Sequence, residues 1–171
     1  MGEIIQQKDN RRVFIDTLIE LAEKDEKIVL IVPDVGFNYI EKFQEKFPDR
    51  FFNFGVTESS TIMIAVGMAQ MGFKPYVYSM INFVLFRPYE MVRNGIYYHK
   101  ANVKLVGVQG SSSYKFLGFS HNMTENEDMD LIRSMTKGDA SFETAICYEP
   151  QGVDFIIKEF YSRSNPAYIR L

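Results

Sequence analysis

Short apolar runs alternate along this chain with stretches whose apolar residues recur every three or four positions. Asp9 or Asn10 caps a first helix running to about Lys24, with Val13, Phe14, Leu18, Leu21 and Ala22 as its inner stripe. Lys27–Pro33 reads as a buried strand ending at Asp34, and a short helix follows around Tyr39–Phe47, closed by Pro48. Further strands are predicted over Arg50–Phe54, Lys74–Ser79, Val103–Val108, Thr144–Tyr148 and Ala167–Arg170. Between them lie a helix over Phe83–Lys100, broken at Pro88, a polar loop over Gly110–His121, and helices over about Glu127–Met135 and Val153–Arg163. This alternation predicts an α/β fold: three layers, doubly wound, with a mostly parallel sheet and helices on both faces. Ligands of such sheets bind beyond the carboxyl ends of the strands. Asp34, Glu58, the segment after Ser79, Gln109, the loop to His121 and Arg170 all fall at that edge.

One segment departs from the pattern. Ile62-Met63-Ile64-Ala65-Val66-Gly67-Met68-Ala69 has no polar face, and a helix apolar on all sides is expected to be buried on all sides. Glu58 enters this segment at its N-terminus, with no Lys or Arg nearby in sequence. A bare buried carboxylate is costly, so another part of the chain or a ligand has to satisfy it. The plain alternative is a capping residue satisfied by backbone N–H groups.

The 171 residues suit one domain spanning 1–171, and 46% hydrophobic with 24% charged residues is a globular balance. A net charge of −3 without a basic block argues against nucleic acid. The single cysteine, Cys147, excludes an internal disulfide and a cysteine-based zinc site, and suits a reducing cytoplasm. The first residues lack the apolar core of a signal peptide, and no run reaches membrane-span length. Phe and Tyr, at 15 and 10, are enough to fill a core and also line a pocket for a flat ligand or a subunit interface.

At this point the residues resemble the pyrimidine-binding domain of thiamine-diphosphate enzymes, in the transketolase and deoxyxylulose-phosphate synthase branch. Arg12-Val13-Phe14-Ile15 opens the likeness, and Val32-Pro33-Asp34-Val35 resembles the family's Ala-Asp-Leu turn. Phe54-Gly55-Val56-Thr57-Glu58 is similar to Asn-x-Gly-Ile-x-Glu. Ser79 through Arg93 resembles Ser-Phe-x-x-Phe…Arg-Ala-Tyr-Asp-Gln-Ile-Arg. Gly118-Phe119-Ser120-His121-Asn122, then Glu127-Asp128 and Ile132-Arg133, resemble Gly-x-Thr-His-Gln…Glu-Asp…Arg, and Asn165–Arg170 resembles the domain's usual end. Each motif is weak alone; their order and spacing carry the match.

The resemblance implies that Glu58 hydrogen-bonds N1′ of the aminopyrimidine and that His121 reaches the reacting carbonyl or hydroxyl. Phe83 and Phe86 are the implied stacking partners, with Met80 at the family's other aromatic position, while Asp34 and Asn38, after the first strand, either order the cofactor edge or only shape a turn. Arg87 and Arg170 stand where relatives place arginines for a phosphorylated sugar, and Gln109 where relatives touch the donor's hydroxyls. Each has a bland counterpart: a core phenylalanine, a surface histidine, a salt-bridged arginine. The family's Gly-Asp-Gly…Asn motif, which holds Mg or Ca and the diphosphate, does not occur in the sequence. The chain therefore resembles half of a split enzyme or an excised piece, and a diphosphate-binding partner subunit in a homodimer core or two-plus-two assembly is implied. Leu117 replaces the family's aspartate four residues before the histidine, and Gln109 replaces a histidine, which argues for a less hydroxylated substrate, a phosphosugar or 2-oxo acid. Two other readings compete: a 2-oxo acid dehydrogenase beta-type subunit, and a non-catalytic scaffold of the same fold.

Overall fold

The computed structural model describes residues 9–108 and 112–171, with side chains for all of these but 112–115. Six strands form one sheet: β1 (Ile28–Val32), β2 (Phe51–Asn53), β3 (Lys74–Met80), β4 (Lys104–Val108), β5 (Glu143–Ile146) and β6 (Ala167–Arg170). Their order is β2-β1-β3-β4-β6-β5 and every neighbouring pair is parallel, with Leu30 opposite both Phe51 and Tyr76. Parallel strands buried on both faces read as continuous apolar runs, and β1, Ile-Val-Leu-Ile-Val, is buried at all five positions.

Side chains alternate across each strand, so the sheet builds two separate cores. On one face Leu30, Tyr76 and Tyr78 pack against Phe14 and Leu18 of α1 (Asn10–Ala22) and Val153 and Ile157 of α6 (Pro150–Ser162). On the other, Ile31, Val77 and Leu105 meet Ile62 and Val66 of α3 (Glu58–Gln70), then Val92, Ile96, and Ile132 of α5 (Glu127–Thr136). A short α2 (Glu41–Lys46) completes the first layer. The predicted three-layer doubly wound fold is the one observed.

Three local expectations change. The helix expected over Phe83–Lys100 is two π-helical turns, Asn82–Phe86 and Val92–Tyr97, joined through the single turn α4 (Tyr89–Met91). Bonds from Arg87 N–H to Asn82 O and from Tyr98 N–H to Arg93 O, five residues back, define these wide turns. Pro88 lacks an N–H and crowds the preceding carbonyls, which favours the wider winding. Second, α3 is not buried all round. Thr61, Ile62, Ala65 and Val66 face the sheet, whereas Met63 and Ile64 are 49% and 39% exposed. One sheet covers only one side of a helix. Third, the stretch expected as a polar loop is a 3-10 segment, Ser112–Ser120, broken at Gly118. Gly118 lies at φ 60, ψ −155, a backbone region open essentially to glycine alone.

Candidate active site

The chain leaves β1 for β2 on one side and then crosses to β3 on the other, so the strand order reverses between β1 and β3. A crevice opens there beyond the carboxyl ends. It is a cleft of about 790 Å³ bounded by Asp34–Asn38 after β1, Tyr78, Ser79 and Met80 at the end of β3, and Phe83 and His121. Arg11 and Tyr39 form its far end, the guanidinium lying 4.2 Å from the ring centre. Gly36, at φ +96, belongs to this wall; a Cβ there would meet Ile40 Cγ2 and Tyr78 Cε1 at 2.9 Å. The hydroxyl of Ser79 is buried in the wall without a hydrogen-bond partner among the described residues.

Glu58 stands at the first position of α3 and is 8% exposed. The sequence offers no nearby cation, but the fold supplies one from 29 residues away: Arg87 Nη1 donates to Glu58 Oε1 at 2.6 Å. The same guanidinium lies 4.0 Å from the centre of the Phe83 ring. Phe83 in turn meets His121 edge-on, with centroids 5.1 Å apart and planes at 81°. Glu58, Arg87, Phe83 and His121 thus form one continuous row ending in the cleft. Glu58 and Arg87 do not themselves line the cleft; Phe83, which touches Arg87, does. The plain capping alternative is not what the chain uses, because Thr57 precedes α3 without a side-chain cap and Glu58 turns to Arg87.

Asp34, Met80, Phe83 and His121 of the predicted set line the cleft. Asn38 lines it too, its backbone N–H donating to Glu41 Oε1. Two residues are placed elsewhere. Phe86 is partly buried against the α3-side core, because the wide turn rotates it away from Phe83. Arg170 is buried: its Nη1 donates to Asp128 Oδ1 at 2.8 Å and Nη2 to Asn126 Oδ1 at 3.3 Å. Tyr168 donates to the other oxygen of the fully buried Asp128 at 2.6 Å, and burial, reinforced by that carboxylate, raises its hydroxyl pKa well above the usual value. Arg170 therefore ties β6 to the start of α5. Gln109 lies outside the described residues.

Burial pushes the Cys147 thiol up to about 11, so it is no nucleophile near neutral pH. Among the described residues no group of three or more His, Cys, Asp or Glu side chains could hold a metal ion, and no helix is long and apolar enough to cross a membrane. Sequence reasoning missed Asn82, whose amide holds the His121 loop, and missed that Arg87 answers Glu58. Asn82 stands inside the Ser79–Arg93 motif as a polar residue in an apolar run, which was a usable signal.

An all-parallel, doubly wound sheet with a carboxylate, a ring face and a histidine gathered at its switch point defines a ligand-binding α/β domain. More narrowly, the chain belongs to the transketolase pyrimidine-binding domain family: residues 6–171 match the family described as "Transketolase, pyrimidine binding domain". It is similar to the "Putative transketolase C-terminal section" of Methanocaldococcus jannaschii, 33% identical over 165 residues that cover 96% of this chain and 50% of that one. It is also similar to one of the subunits of the apulose-4-phosphate transketolase of Phocaeicola vulgatus, 34% identical over 162 residues, 94% of this chain and 50% of that one. Among solved structures, a chain described as "Split gene transketolase, inactive beta4 tetramer" superposes with a TM-score of 0.81 at 28% identity, covering 96% of this chain and 51% of that one. The chain spans about half the length of the curated relatives it matches. The family implies use of thiamine diphosphate.

Proposed function

We propose that this chain is the pyrimidine-binding part of a thiamine-diphosphate-dependent, transketolase-like transferase. It moves a two-carbon unit between sugar-like or 2-oxo acid substrates and works only with a diphosphate-binding partner. The observation that carries this reading is the guanidinium of Arg87, a flat group with N–H donors that lies on the Phe83 ring and donates to Glu58. A ring nitrogen that carries or shares a proton, stacked on the same phenylalanine, makes the same two contacts. The residues present therefore fit an aminopyrimidine in chemistry and in shape.

Thiamine diphosphate, when bound, supplies a thiazolium carbon acidic enough to lose its proton and then attack a carbonyl. Glu58 holds a proton at the pyrimidine N1′, the role that a carboxyl shielded at a helix N-terminus can fill. Phe83 offers a rigid apolar face that fixes the ring plane. His121, beside Phe83, takes and returns protons at the substrate oxygen. Asp34 and Met80 shape the cofactor edge of the cleft. Arg87, once the pyrimidine takes its place on Phe83 and Glu58, is released toward a substrate phosphate or carboxylate, and Gln109 is a further substrate contact.

The metal, Mg or Ca, and the diphosphate fall to the partner, in keeping with the missing Gly-Asp-Gly…Asn motif. Large apolar side chains stand uncovered around the site: Phe37, Val56, Phe116, Phe119 and Tyr148 are 65% to 83% exposed. With Met63 and Ile64 of α3, they form the kind of surface a partner buries. We place a single domain over residues 1–171 in a two-plus-two assembly in the cytoplasm, where one buried thiol stays reduced.

The test is reconstitution. The chain mixed with a subunit carrying the Gly-Asp-Gly…Asn motif, thiamine diphosphate and magnesium should form a mixed oligomer that binds the cofactor and transfers two-carbon units. A mixed oligomer that forms but binds no thiamine diphosphate would refute the reading.

A further inference from the structure

Asn82 is 7% exposed at the start of the π turn that carries Phe83, and its amide is used twice. Nδ2 donates to Phe119 O at 3.0 Å and to Asn122 O at 2.9 Å, the carbonyls on either side of Ser120-His121. Both partners can only accept, so the orientation of the amide is fixed. The loop is also closed on itself: Asn122 Nδ2 donates to Gly118 O at 2.8 Å and His121 N–H to the same oxygen at 3.2 Å. Ser120 adds a chemical constraint. Its Oγ donates to Leu117 O at 2.7 Å, which uses its single hydrogen, so toward His121 Nδ1, also 2.7 Å away, it can only accept. Nδ1 therefore carries a proton, and in the neutral ring the lone pair is on Nε2.

We propose that Asn82 and Ser120 are positioning residues for His121: Asn82 hangs the histidine loop on the turn that carries Phe83, and Ser120 sets Nε2 as the proton acceptor. A histidine on an irregular segment otherwise has no rigid support, and loops position side chains less well than helices or strands do. Here the buried amide transfers the rigidity of the sheet-backed turn to the loop, so the stacking ring and the proton-transfer group move as one body. The assignment of His121 to proton transfer rests on the functional reading above; the geometry that holds it does not.

The experiment is nitrogen-resolved NMR of the 171-residue chain without cofactor. In the unsubstituted protein, His121 shows the Nδ1–H tautomer, cross-relaxation with the Phe83 ring, and an Asn82 side-chain amide protected from solvent exchange. N82L removes the Phe83–His121 cross-relaxation, and S120A keeps that contact but lets both tautomers appear. N82D, of the same shape but without the donors, reproduces N82L should the leucine variant fail to fold. A folded N82L or N82D that retains the ring contact overturns the proposal, as does an Asn82 amide that exchanges freely in the unsubstituted chain. In the assembled enzyme N82L lowers kcat by up to about a hundredfold while the cofactor dissociation constant changes little. An assembly that binds no thiamine diphosphate, with the NMR contacts intact, sinks the functional reading and leaves this assignment standing.

Discussion

The two edges of the sheet handle their charged groups in different ways. At the amino edge the charged side chains are answered from within the chain, although the hydroxyls of Tyr76 and Ser141 are buried there without a hydrogen-bond partner among the described residues. The buried Lys104 donates from Nζ to Asn102 Oδ1 at 2.6 Å, to Arg163 O at 3.1 Å and to Asn165 O. Asp25 accepts from Lys74 at 2.8 Å, from Tyr161 at 3.1 Å and from the Lys27 N–H at 2.9 Å. Arg50 closes the neighbouring turn through the carbonyls of Ala22 and Asp25. At the carboxyl edge the Glu58 carboxylate rests against an arginine side chain that is 46% exposed, and large apolar side chains surround the cleft uncovered. An edge whose charges are answered from within resists change and serves stability. An edge with one-sided contacts keeps its groups available to something else.

Breaking that contrast at the carboxyl edge should give the largest effect. E58Q should lower turnover of the reconstituted enzyme by about 10²- to 10⁴-fold, the usual worth of a positioned acid–base group. Assembly and melting temperature should barely move, because the glutamine keeps the shape and the Arg87 left behind is half exposed, so losing the pair should cost about 1 kcal/mol or less. Steady-state rates and analytical ultracentrifugation read the two together, and equal loss in both would erase the distinction between the edges.

The converse change is at the amino edge. K104M leaves three oxygens without their buried donor, so it should cost about 1–3 kcal/mol of stability, read as a lower urea midpoint, with cofactor affinity unchanged. R87M sharpens the picture at smaller scale. It removes a group that competes for Phe83 and Glu58, so thiamine diphosphate should bind up to about fivefold tighter in calorimetry. The KM for a phosphorylated or carboxylated donor should rise at the same time.

The mildest test uses pH. Burial pushes the Lys104 ammonium down to about 8, while in the unfolded chain it stays protonated to its ordinary 10.5. Between those values the unfolded state binds more protons, so this group makes stability rise with pH, having cost stability below that window. Urea midpoints at either end of the window should show a slope that K104M removes; an unchanged slope in the variant would assign it to another group.

The strand and helix order could be read directly from the chain, because continuous apolar runs such as Ile28–Val32 and three-to-four spacing such as Phe14, Leu18 and Leu21 leave few other arrangements. Asp34, Met80, Phe83 and His121 could be placed at one edge for the same reason: each ends or follows a strand. Phe86 and Arg170 stand outside the cleft lining for local reasons that periodicity does not encode. A π turn shifts Phe86 by part of a winding, and a buried aspartate 42 residues away claims Arg170. The exposed side of α3 also eluded the pattern, since apolarity on every face says that burial is wanted but not who provides it.

By itself, then, the sequence determined the parallel sheet, its two cores and which loops share the carboxyl edge, since all of these follow from short-range periodicity and chain order. Only the tertiary structure decided that Arg87 neutralises Glu58 upon Phe83, that Asn82 holds His121, and that Arg170 is locked to Asp128. Those are pairings between residues far apart in the chain, set by distance and direction in space, and no local pattern of side chains carries that information.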